Sequence, residues 1–476
     1  IALFEFNLAL VIDDQGKINE AIALEKKILR TFQIIIECAH DDELIHKAKQ
    51  REAGVIANLA AFYNNIGYVD RAYEMIKYSY EKKKALYDSA DPNLASVLTR
   101  IAGAEVSLRL FDKALATTNL AFTNLQKAPE NYPAIEAELY YMMAKSYEGK
   151  RDITMARRYF DKSETMFQTA YPQDYSRAYL TMLKNYSQFL AQNGFNEFAF
   201  AKAEKVYNYV KNNATSDNIT SLNALSNLAS IRFKTKNYEQ SLLLATEGNA
   251  ILDQQLKTAG NKLDSIQIGY RRPAFTSLAV ASRYALEIQK SPTFLKQQIA
   301  EINKAVEALE RRRSTSTADS DVETLLEDYG ALNELSKKLH YDLYTQTSDT
   351  KLLDKLLTLQ ESGVYHRIRT QLNARDEIRF NKVPAKILKR EKALKEALSL
   401  KDMDADFDMA TYFKREQEWN GFLTDLKKQY PDYYSLKYAT LQVPIADLQN
   451  NIPDDTTMLR YFFMEEELFV FVISKS

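Results

Sequence analysis

The sequence predicts an all-α solenoid, because a small residue returns at a nearly constant interval through the first half of the chain. The small residues that open each predicted second helix are Ala21, Ala72, Ala114, Ala156, Ala199 and Ser241. Their spacings are 51, 42, 42, 43 and 42 residues. A second small residue lies twelve positions before each of them, at Ala9, Ala60, Ala102, Ala144, Ser187 and Ala229. A period of this size is typical of stacked helical pairs.

Composition favours helices and argues against several functional classes. The 476 residues exceed one compact core and contain only 12 Gly and 10 Pro. The formal net charge is -1 without a basic stripe, which argues against a protein that binds nucleic acid through its phosphates. The single cysteine, Cys38, excludes an internal disulfide, and no apolar stretch approaches the length of a membrane span. We therefore expect neither a nucleic-acid nor a membrane partner.

Each predicted pair consists of two amphipathic helices joined by a polar turn. In the second pair, Ile56, Leu59 and Tyr63 recur at three and four residues and therefore share one helix face. Gly67 ends that helix, where a positive φ is needed, and Ala72 begins the apolar stripe of the next helix. The small residues allow the two helices of a pair to approach closely.

These features resemble the tetratricopeptide repeat. The resemblance rests on the apolar-small pairs of the first helix and on the turn that precedes the small residue of the second helix. The pairs are Leu59-Ala60, Ile101-Ala102, Met143-Ala144 and Leu228-Ala229. The usual period is about 34 residues; the longer period here is similar to the subclass found in kinesin light chains. The resemblance implies a right-handed solenoid of about six helix pairs over residues 1–257.

The second half loses the period but keeps helical patterns until its end. We expect degenerate repeat-like and linking helices over 258–350, with a polar linker at 314–321, and a further helical region over 351–441. Residues 442–476 change character, because two β-rich runs at 458–463 and 468–473 predict a hairpin. The second run is apolar throughout, which suits a strand buried on both faces.

The order of these segments resembles tetratricopeptide arrays fused to a CHAT domain, a caspase-like cysteine peptidase fold. The segments that carry this resemblance are 361–375, 383–391, 430–434, Leu448-Gln449 and the hairpin with Leu459-Arg460-Tyr461-Phe462. Such peptidases need a thiolate and a histidine base, which in that family lie beyond the hairpin. Residues 367–476 contain neither His nor Cys. We therefore expect a chain that stops before the catalytic residues of its parent, is not itself an enzyme and binds no cofactor.

Cys38, His40 and His46 form the one cluster with nucleophilic or metal-binding side chains. A nucleophile-base pair or a metal site is one interpretation. The other is a core-facing cysteine with two surface histidines at a loop between helices. We expect the second, and no metal, because the three residues do not share a helix face. His340 and His366 are solitary in sequence.

The predicted site is the concave groove of the solenoid. Asparagine, which is poor in helix interiors, occupies four of the six positions that lie two residues before the small residue of each first helix: Asn7, Asn58, Asn185 and Asn227. In tetratricopeptide folds this position faces the groove, where an amide can pair with the backbone of an extended peptide. The predicted groove residues are Asn58, Asn64, Arg100, Tyr141, Lys145, Lys184, Asn185, Gln188, Asn223, Asn227 and Lys234. The alternative is that the asparagines bond neighbouring helices and stiffen the array.

Two functions follow as hypotheses. In the first, the chain is the recognition and regulatory arm of a bacterial, cytoplasmic tetratricopeptide-CHAT protein, and a peptide or protein bound in the groove controls a C-terminal peptidase. In the second, it is a free-standing adaptor that scaffolds an assembly without an associated enzyme. In either, the exposed hairpin offers a strand through which the chain could dimerise.

Overall fold

The computed structural model describes residues 8–13, 18–65, 69–215, 219–258, 268–269, 271–315, 319–361, 383–398, 409–438, 444–464 and 467–475. The chain divides into two units. The first comprises Ile1–Ile268 with Lys401–Met409, and the second comprises Gly269–Leu400 with Ala410–Ser476. Among the residues singled out from the sequence, Asn7, Gly67 and His366 lie outside the described residues.

The first unit is an array of helical pairs. Its helices are α1 (Ile18–Cys38), α2 (Asp42–Asn65), α3 (Val69–Lys84), α4 (Pro92–Ser107), α5 (Phe111–Leu125), α6 (Pro133–Gly149), α7 (Ile153–Ala170), α8 (Arg177–Gln192), α9 (Asn196–Asn213), α10 (Ile219–Lys234) and α11 (Tyr238–Thr258). Consecutive helices pack against each other. Each first helix of a pair also packs on the first helix of the next pair, in the order α2, α4, α6, α8, α10. These first helices therefore form one inner layer, and the second helices flank it.

All twelve small positions of the predicted repeat are buried. Each of these residues has at most 4% exposure. They are Ala9, Ala60, Ala102, Ala144, Ser187 and Ala229 on first helices, and Ala21, Ala72, Ala114, Ala156, Ala199 and Ser241 on second helices. A larger side chain at any of these positions would have to displace a neighbouring helix. The fold class predicted from the sequence, an all-α tetratricopeptide-type solenoid with further helices and a terminal β-hairpin, is confirmed.

The turn inside each pair uses a left-handed residue five positions before the small residue of the second helix. Arg109, Arg151 and Lys236 have φ values of 60°, 62° and 63°, and Gly194 has φ 81°. Gly67 occupies the same sequence position in the pair α2–α3. A positive φ reverses the chain in few residues, but a residue with a Cβ adopts it at a cost of about 1 kcal/mol. The turn geometry is thus common to the four pairs whose turns the structure describes, of which only α8–α9 has glycine there.

The second unit begins with three long helices around an aliphatic core. They are α12 (Arg272–Leu286), α13 (Pro292–Thr315) and α14 (Asp319–Thr347). Their buried cluster comprises Val280, Leu295, Ile302, Ala305, Leu309, Leu332, Leu339 and Leu343. The polar linker expected at 314–321 is narrower than predicted, because α13 continues to Thr315 and α14 starts at Asp319. Polar residues suit the terminal turns of helices as well as linkers, so composition alone did not separate the two.

The remaining described elements of the second unit are five helices and a β-hairpin. They are α15 (351–361), α16 (Ala385–Leu398), α17 (Met409–Gln429), α18 (Pro431–Lys437), α19 (Ile445–Asn451), β1 (Thr457–Met464) and β2 (Glu467–Ser474). The strands are antiparallel, with Thr457 opposite Ser474 and Met464 opposite Glu467. A small apolar cluster of Leu357, Ile452 and Ile473 joins the inner face of β2 to α15. Arg460 also donates to Glu361 of α15, with Nη2 3.1 Å from Oε2.

Strand β2 is buried on one face only, in contrast to the expectation from its apolar sequence. Ile473 is buried, whereas Leu468 and Val472 are exposed by 55% and 67%. The described helices cover one face of the two-stranded sheet, and alternate side chains point away from them. In the described residues, no helix is both long and apolar enough to cross a membrane.

Candidate functional site

A cavity of about 430 Å³ opens on the inner layer of the first unit. It is lined by residues of α2, α4, α6 and α8, with two residues of α3 beneath them. Five of the predicted groove residues line it: Asn64, Arg100, Tyr141, Lys145 and Asn185. The structure therefore brings together, on four helices, side chains that are distant from one another in the sequence.

Small side chains create this cavity. Ala57, Ala60 and Ala104 are buried in its lining, and Ala61 and Gly103 line it nearer the surface. The helices pack closely through these residues and leave the space above them unfilled. The volume lies in the range of sites that hold small ligands or a few peptide side chains.

The polar residues around the cavity are partly bonded to each other. Asn185 donates its amide to the hydroxyl of Tyr141, and Lys145 pairs with Glu148 at 2.6 Å. Within the described residues, one amide hydrogen and the amide oxygen of Asn185 make no further hydrogen bond, because a side-chain amide has two donors and two lone pairs and only one donor is used. Asn64 is exposed and makes no side-chain hydrogen bond with the part of the chain that the structure describes. The rim thus offers donors and acceptors to a ligand.

Burial and like charges shift the pKa values of the charged groups in this region. Desolvation lowers the pKa of the Arg100 guanidinium and raises the pKa of the Glu138 carboxyl, and the attraction between these two groups opposes both shifts. Desolvation also lowers the pKa of Lys184, and Lys145 lowers it further. Arg100 as a whole residue is exposed, whereas Lys184 is half-buried beside Lys145, so the two like charges of Lys184 and Lys145 lie in the less solvated part of this region.

Two of the predicted asparagines bond neighbouring helices. Asn58 donates from Nδ2 to Oε1 of Glu25 on α1 at 3.0 Å, and Asn227 donates from Nδ2 to Oγ of Ser187 on α8 at 2.8 Å. Both asparagines are buried, with 7% and 3% exposure. This is the arrangement that the structural alternative describes. Asn58 still reaches the groove indirectly, because its Oδ1 accepts a long hydrogen bond of 3.4 Å from Arg100.

The other predicted groove residues lie on the inner layer outside this cavity. Lys184 and Gln188 of α8 are half-buried, and Asn223 and Lys234 of α10 are exposed. Desolvation lowers the pKa of Lys234. These four residues continue the inner layer toward α10. Their role in binding stays a prediction.

Two residues of this region, Glu138 and Glu25, are absent from the set predicted from the sequence. Glu138 lines the cavity and lies six residues before the small residue Ala144. The predicted groove residue Asn223 lies at the same distance before Ala229. This shared spacing could have identified Glu138 as a groove residue. Glu25 is completely buried on α1, four residues after Ala21. A carboxylate within an apolar stripe is the signal that pointed to it.

The cysteine and histidine cluster does not form a metal site in the described residues, which contain no group of three or more His, Cys, Asp or Glu placed to hold a metal ion. Cys38 is exposed at the end of α1, in contrast to the core-facing position of the interpretation we preferred, and His40 and His46 are not buried either. His340 is buried on α14, with Nδ1 2.7 Å from the carbonyl oxygen of Ser336. Burial lowers its pKa, which favours the neutral ring.

Comparison with known proteins finds similarity only at the level of solved structures. No protein-family model matches the sequence, and no curated protein matches it. A Podosopora anserina protein described as a kinesin light chain with nearly identical TPR-like repeats is 17% identical to this chain. The alignment covers 45% of this chain and 99% of that chain, with a TM-score of 0.33.

Two further structures show the same level of likeness. BtubC (BKLC) from P. vanneervenii is 13% identical, with a TM-score of 0.37 over 51% of this chain and 89% of that chain. A Rap protein in complex with competence and sporulation factor is 12% identical, with a TM-score of 0.41 over 77% of this chain and 99% of that chain. The helical pairs of this chain themselves establish its fold class.

Proposed function

We propose that the inner layer of the first unit binds an extended segment of a partner protein, and that the cavity holds one of its side chains. The observation that carries this proposal is the cavity itself, where four inner helices place polar groups around a base of small residues. An extended chain presents an unpaired N–H and C=O at nearly every residue. Asn64 and Asn185 offer amides that can pair with such groups, and the small residues below them accept an apolar side chain.

Filling the cavity tests this proposal. A random dodecapeptide library displayed on phage is selected against the whole chain, and selected peptides are measured again with Ala61→Phe, which fills the cavity. Ala116→Phe adds the same ring on an exposed position of α5 and serves as the matched control. We expect at least about tenfold weaker binding with Ala61→Phe and unchanged binding with Ala116→Phe, at equal melting temperatures. Selected peptides that bind both variants equally, or a selection without binders, would contradict the proposal.

We further propose that the array controls a C-terminal caspase-like peptidase in a longer, bacterial and cytoplasmic protein. The support is the resemblance to tetratricopeptide-CHAT proteins over residues 350–476. The segments that we propose for the chain are 1–257, 258–350, 351–441 and 442–476. On this proposal the present chain recognises the partner and has no peptidase activity of its own.

The test uses the full reading frame of the source gene. We expect a frame that continues beyond Ser476 and that encodes a histidine and a cysteine, each after an apolar strand. Peptidase activity of that full product should then depend on the groove, so that Ala61→Phe alters its response to a groove-binding peptide and Ala116→Phe does not. A stop codon soon after Ser476, or activity that ignores the groove, would contradict the regulatory role.

One observation favours a second candidate, a free-standing adaptor that associates through its hairpin. The outer face of the hairpin carries three apolar cross-strand pairs that are exposed to solvent. They are Leu459 with Val472, Tyr461 with Val470, and Phe463 with Leu468. Exposed apolar faces of this kind are typical of interaction surfaces.

Sedimentation analysis tests this candidate. We expect a concentration-dependent dimer that is lost when Tyr461→Glu and Val470→Lys are combined. Leu243→Lys, at an exposed apolar residue of α11, is the control and should leave association unchanged. A monomer at all concentrations would contradict dimerisation through this face.

A further inference from the structure

An ion pair joins two helical pairs that are not neighbours in the array. Nη2 of Arg177, the first residue of α8, lies 2.9 Å from Oδ2 of Asp13. Asp13 ends the described part of the first helix of the first pair, residues 8–13, whereas α8 is the first helix of the fifth pair. The two residues are 164 positions apart in the sequence. Each repeat of a solenoid normally contacts only the repeats beside it, so this contact requires a separate explanation.

The repeat itself does not bury the position that Asp13 occupies. Asp13 lies four residues after the small residue Ala9 and has 0% exposure. The corresponding residues of the other five pairs are half-buried or exposed, and they are Asn64, Val106, Glu148, Ala191 and Phe233. Because the same helical register leaves these residues accessible, the burial of Asp13 results from contacts that the other pairs lack. The contact with Arg177 of α8 is one of them.

This contact requires the array to curve strongly. Adjacent packed helices lie roughly 8–10 Å apart. Three first helices, α2, α4 and α6, come between the first helix of the first pair and α8 in the repeat order, so a straight array would hold the two about 32–40 Å apart. The paired atoms are 2.9 Å apart, which is possible only if the inner layer bends until its first and fifth pairs meet.

The closed arrangement depends on the positive charge of Arg177. Asp13 is completely buried, and its second carboxylate oxygen, Oδ1, makes no hydrogen bond within the described residues. A buried carboxylate without a counter-charge is costly. The side chain of Arg177 keeps 44% exposure and is therefore partly hydrated even in the pair. Loss of this cation leaves Asp13 with a desolvation cost, which the array relieves when the contact opens to water.

We propose that Asp13 and Arg177 form a latch that holds the first and fifth helical pairs together, and that the array opens when this ion pair breaks. A closed latch narrows the entrance to the inner layer, and an open latch widens it. The latch is independent of the peptide binding proposed above, because it concerns only the curvature of the array and not the chemistry of a ligand.

Distances between two spin labels in the whole chain test the latch. One label is attached to Cys38, which is exposed at the end of α1, and the other to Thr181→Cys, at an exposed position one turn after Arg177. Double electron–electron resonance then reports the separation of the first and fifth pairs. Arg177→Met and Arg177→Glu should each lengthen the mean distance by at least about one helix spacing, roughly 8–10 Å. Arg177→Lys keeps the charge and should leave the distance unchanged.

Lys150→Glu is the matched control. Lys150 is a cation of similar exposure, 40%, and it pairs with Asp112 of α5. This ion pair joins neighbouring helical pairs, which the packing of α5 against α6 also holds together, so its loss should leave the label distance unchanged. Circular dichroism melting of each labelled variant separates opening from unfolding. An unchanged distance in folded Arg177→Met and Arg177→Glu, or an equal lengthening in Lys150→Glu, would overturn the latch.

Discussion

Asn58 donates its side-chain amide to the carboxylate of Glu25 across the interface between α1 and α2, with Nδ2 3.0 Å from Oε1. Glu25 is completely buried, and Asn58 retains only 7% exposure. The amide therefore bonds one oxygen of an acid that is shielded from solvent, and the groove residue Arg100 is bonded to the oxygen of the same amide. A residue that the sequence assigns to ligand binding thus joins two helices of the array.

The free energy of unfolding should fall between about pH 4.5 and pH 7 because of Glu25. Burial raises the pKa of its carboxyl from 4.5 to about 7, and the hydrogen bond from Asn58 acts in the opposite direction. The folded state therefore binds this proton more tightly than the unfolded state, so that the stability present below about pH 4.5 is lost as the pH rises to about 7. The loss is on the order of 3 kcal/mol.

Thermal melting of the natural chain and of Glu25→Gln over about pH 4.5–8 measures this contribution. The amide introduced by this substitution cannot ionise, so the fall should be absent or much reduced in the variant, while all other titrating groups contribute equally to both proteins. Parallel pH profiles for the two proteins would show that Glu25 titrates normally.

Asn58→Ala should destabilise the first unit, whereas Asn64→Ala should not. The first substitution leaves the buried Glu25 without its amide donor, a loss of roughly 1–3 kcal/mol. Asn64 lies on the same helix, is exposed and makes no side-chain hydrogen bond with the described residues, so its replacement should change stability by less than about 0.5 kcal/mol. Urea unfolding of the two variants gives the comparison, and equal effects would refute the assignment of Asn58 to the helix interface.

Arg151→Gly should stabilise the chain. Arg151 has φ 62° in the turn between α6 and α7, a conformation that costs a residue with a Cβ about 1 kcal/mol more than glycine. The neighbouring Lys150 has φ -79°, so Lys150→Gly should instead lower stability by roughly 0.5–1 kcal/mol. Calorimetric melting temperatures that shift in the same direction for both variants would contradict this interpretation.

Tyr433→Phe should destabilise the second unit through Glu391. The buried Glu391 carboxylate accepts hydrogen bonds from the hydroxyls of Tyr433 and Tyr438, and it pairs with Lys437 at 2.8 Å. Loss of one donor to a buried charge costs roughly 1.5–3 kcal/mol. Tyr434→Phe is the control, because the Tyr434 hydroxyl makes no hydrogen bond within the described residues. Hydrogen exchange of α16 and α18 detects the local change, and similar exchange in both variants would argue against this network.

Asn58 and Asn64 illustrate what could be predicted about the site. The sequence predicts both as groove residues from their distance to Ala60. Six residues turn an α-helix by about 600°, so the two side chains point about 120° apart. One therefore enters the interface with α1, and the other reaches the rim of the cavity. Helix geometry separates the two positions, but only the location of α1 shows which of them is covered.

The sequence by itself determined the helical pairs, their small contact residues and the terminal hairpin. These features depend on the spacing of residues within one or two elements, where periods of about 3.6 and 2 and the turn positions are local properties. The tertiary structure alone decided that small residues leave a cavity, that Asn58 and Asn227 bond neighbouring helices, and that β2 is covered on one face. Each of these outcomes depends on contacts between residues that are distant in sequence, and the offset and rotation of packed helices set those contacts.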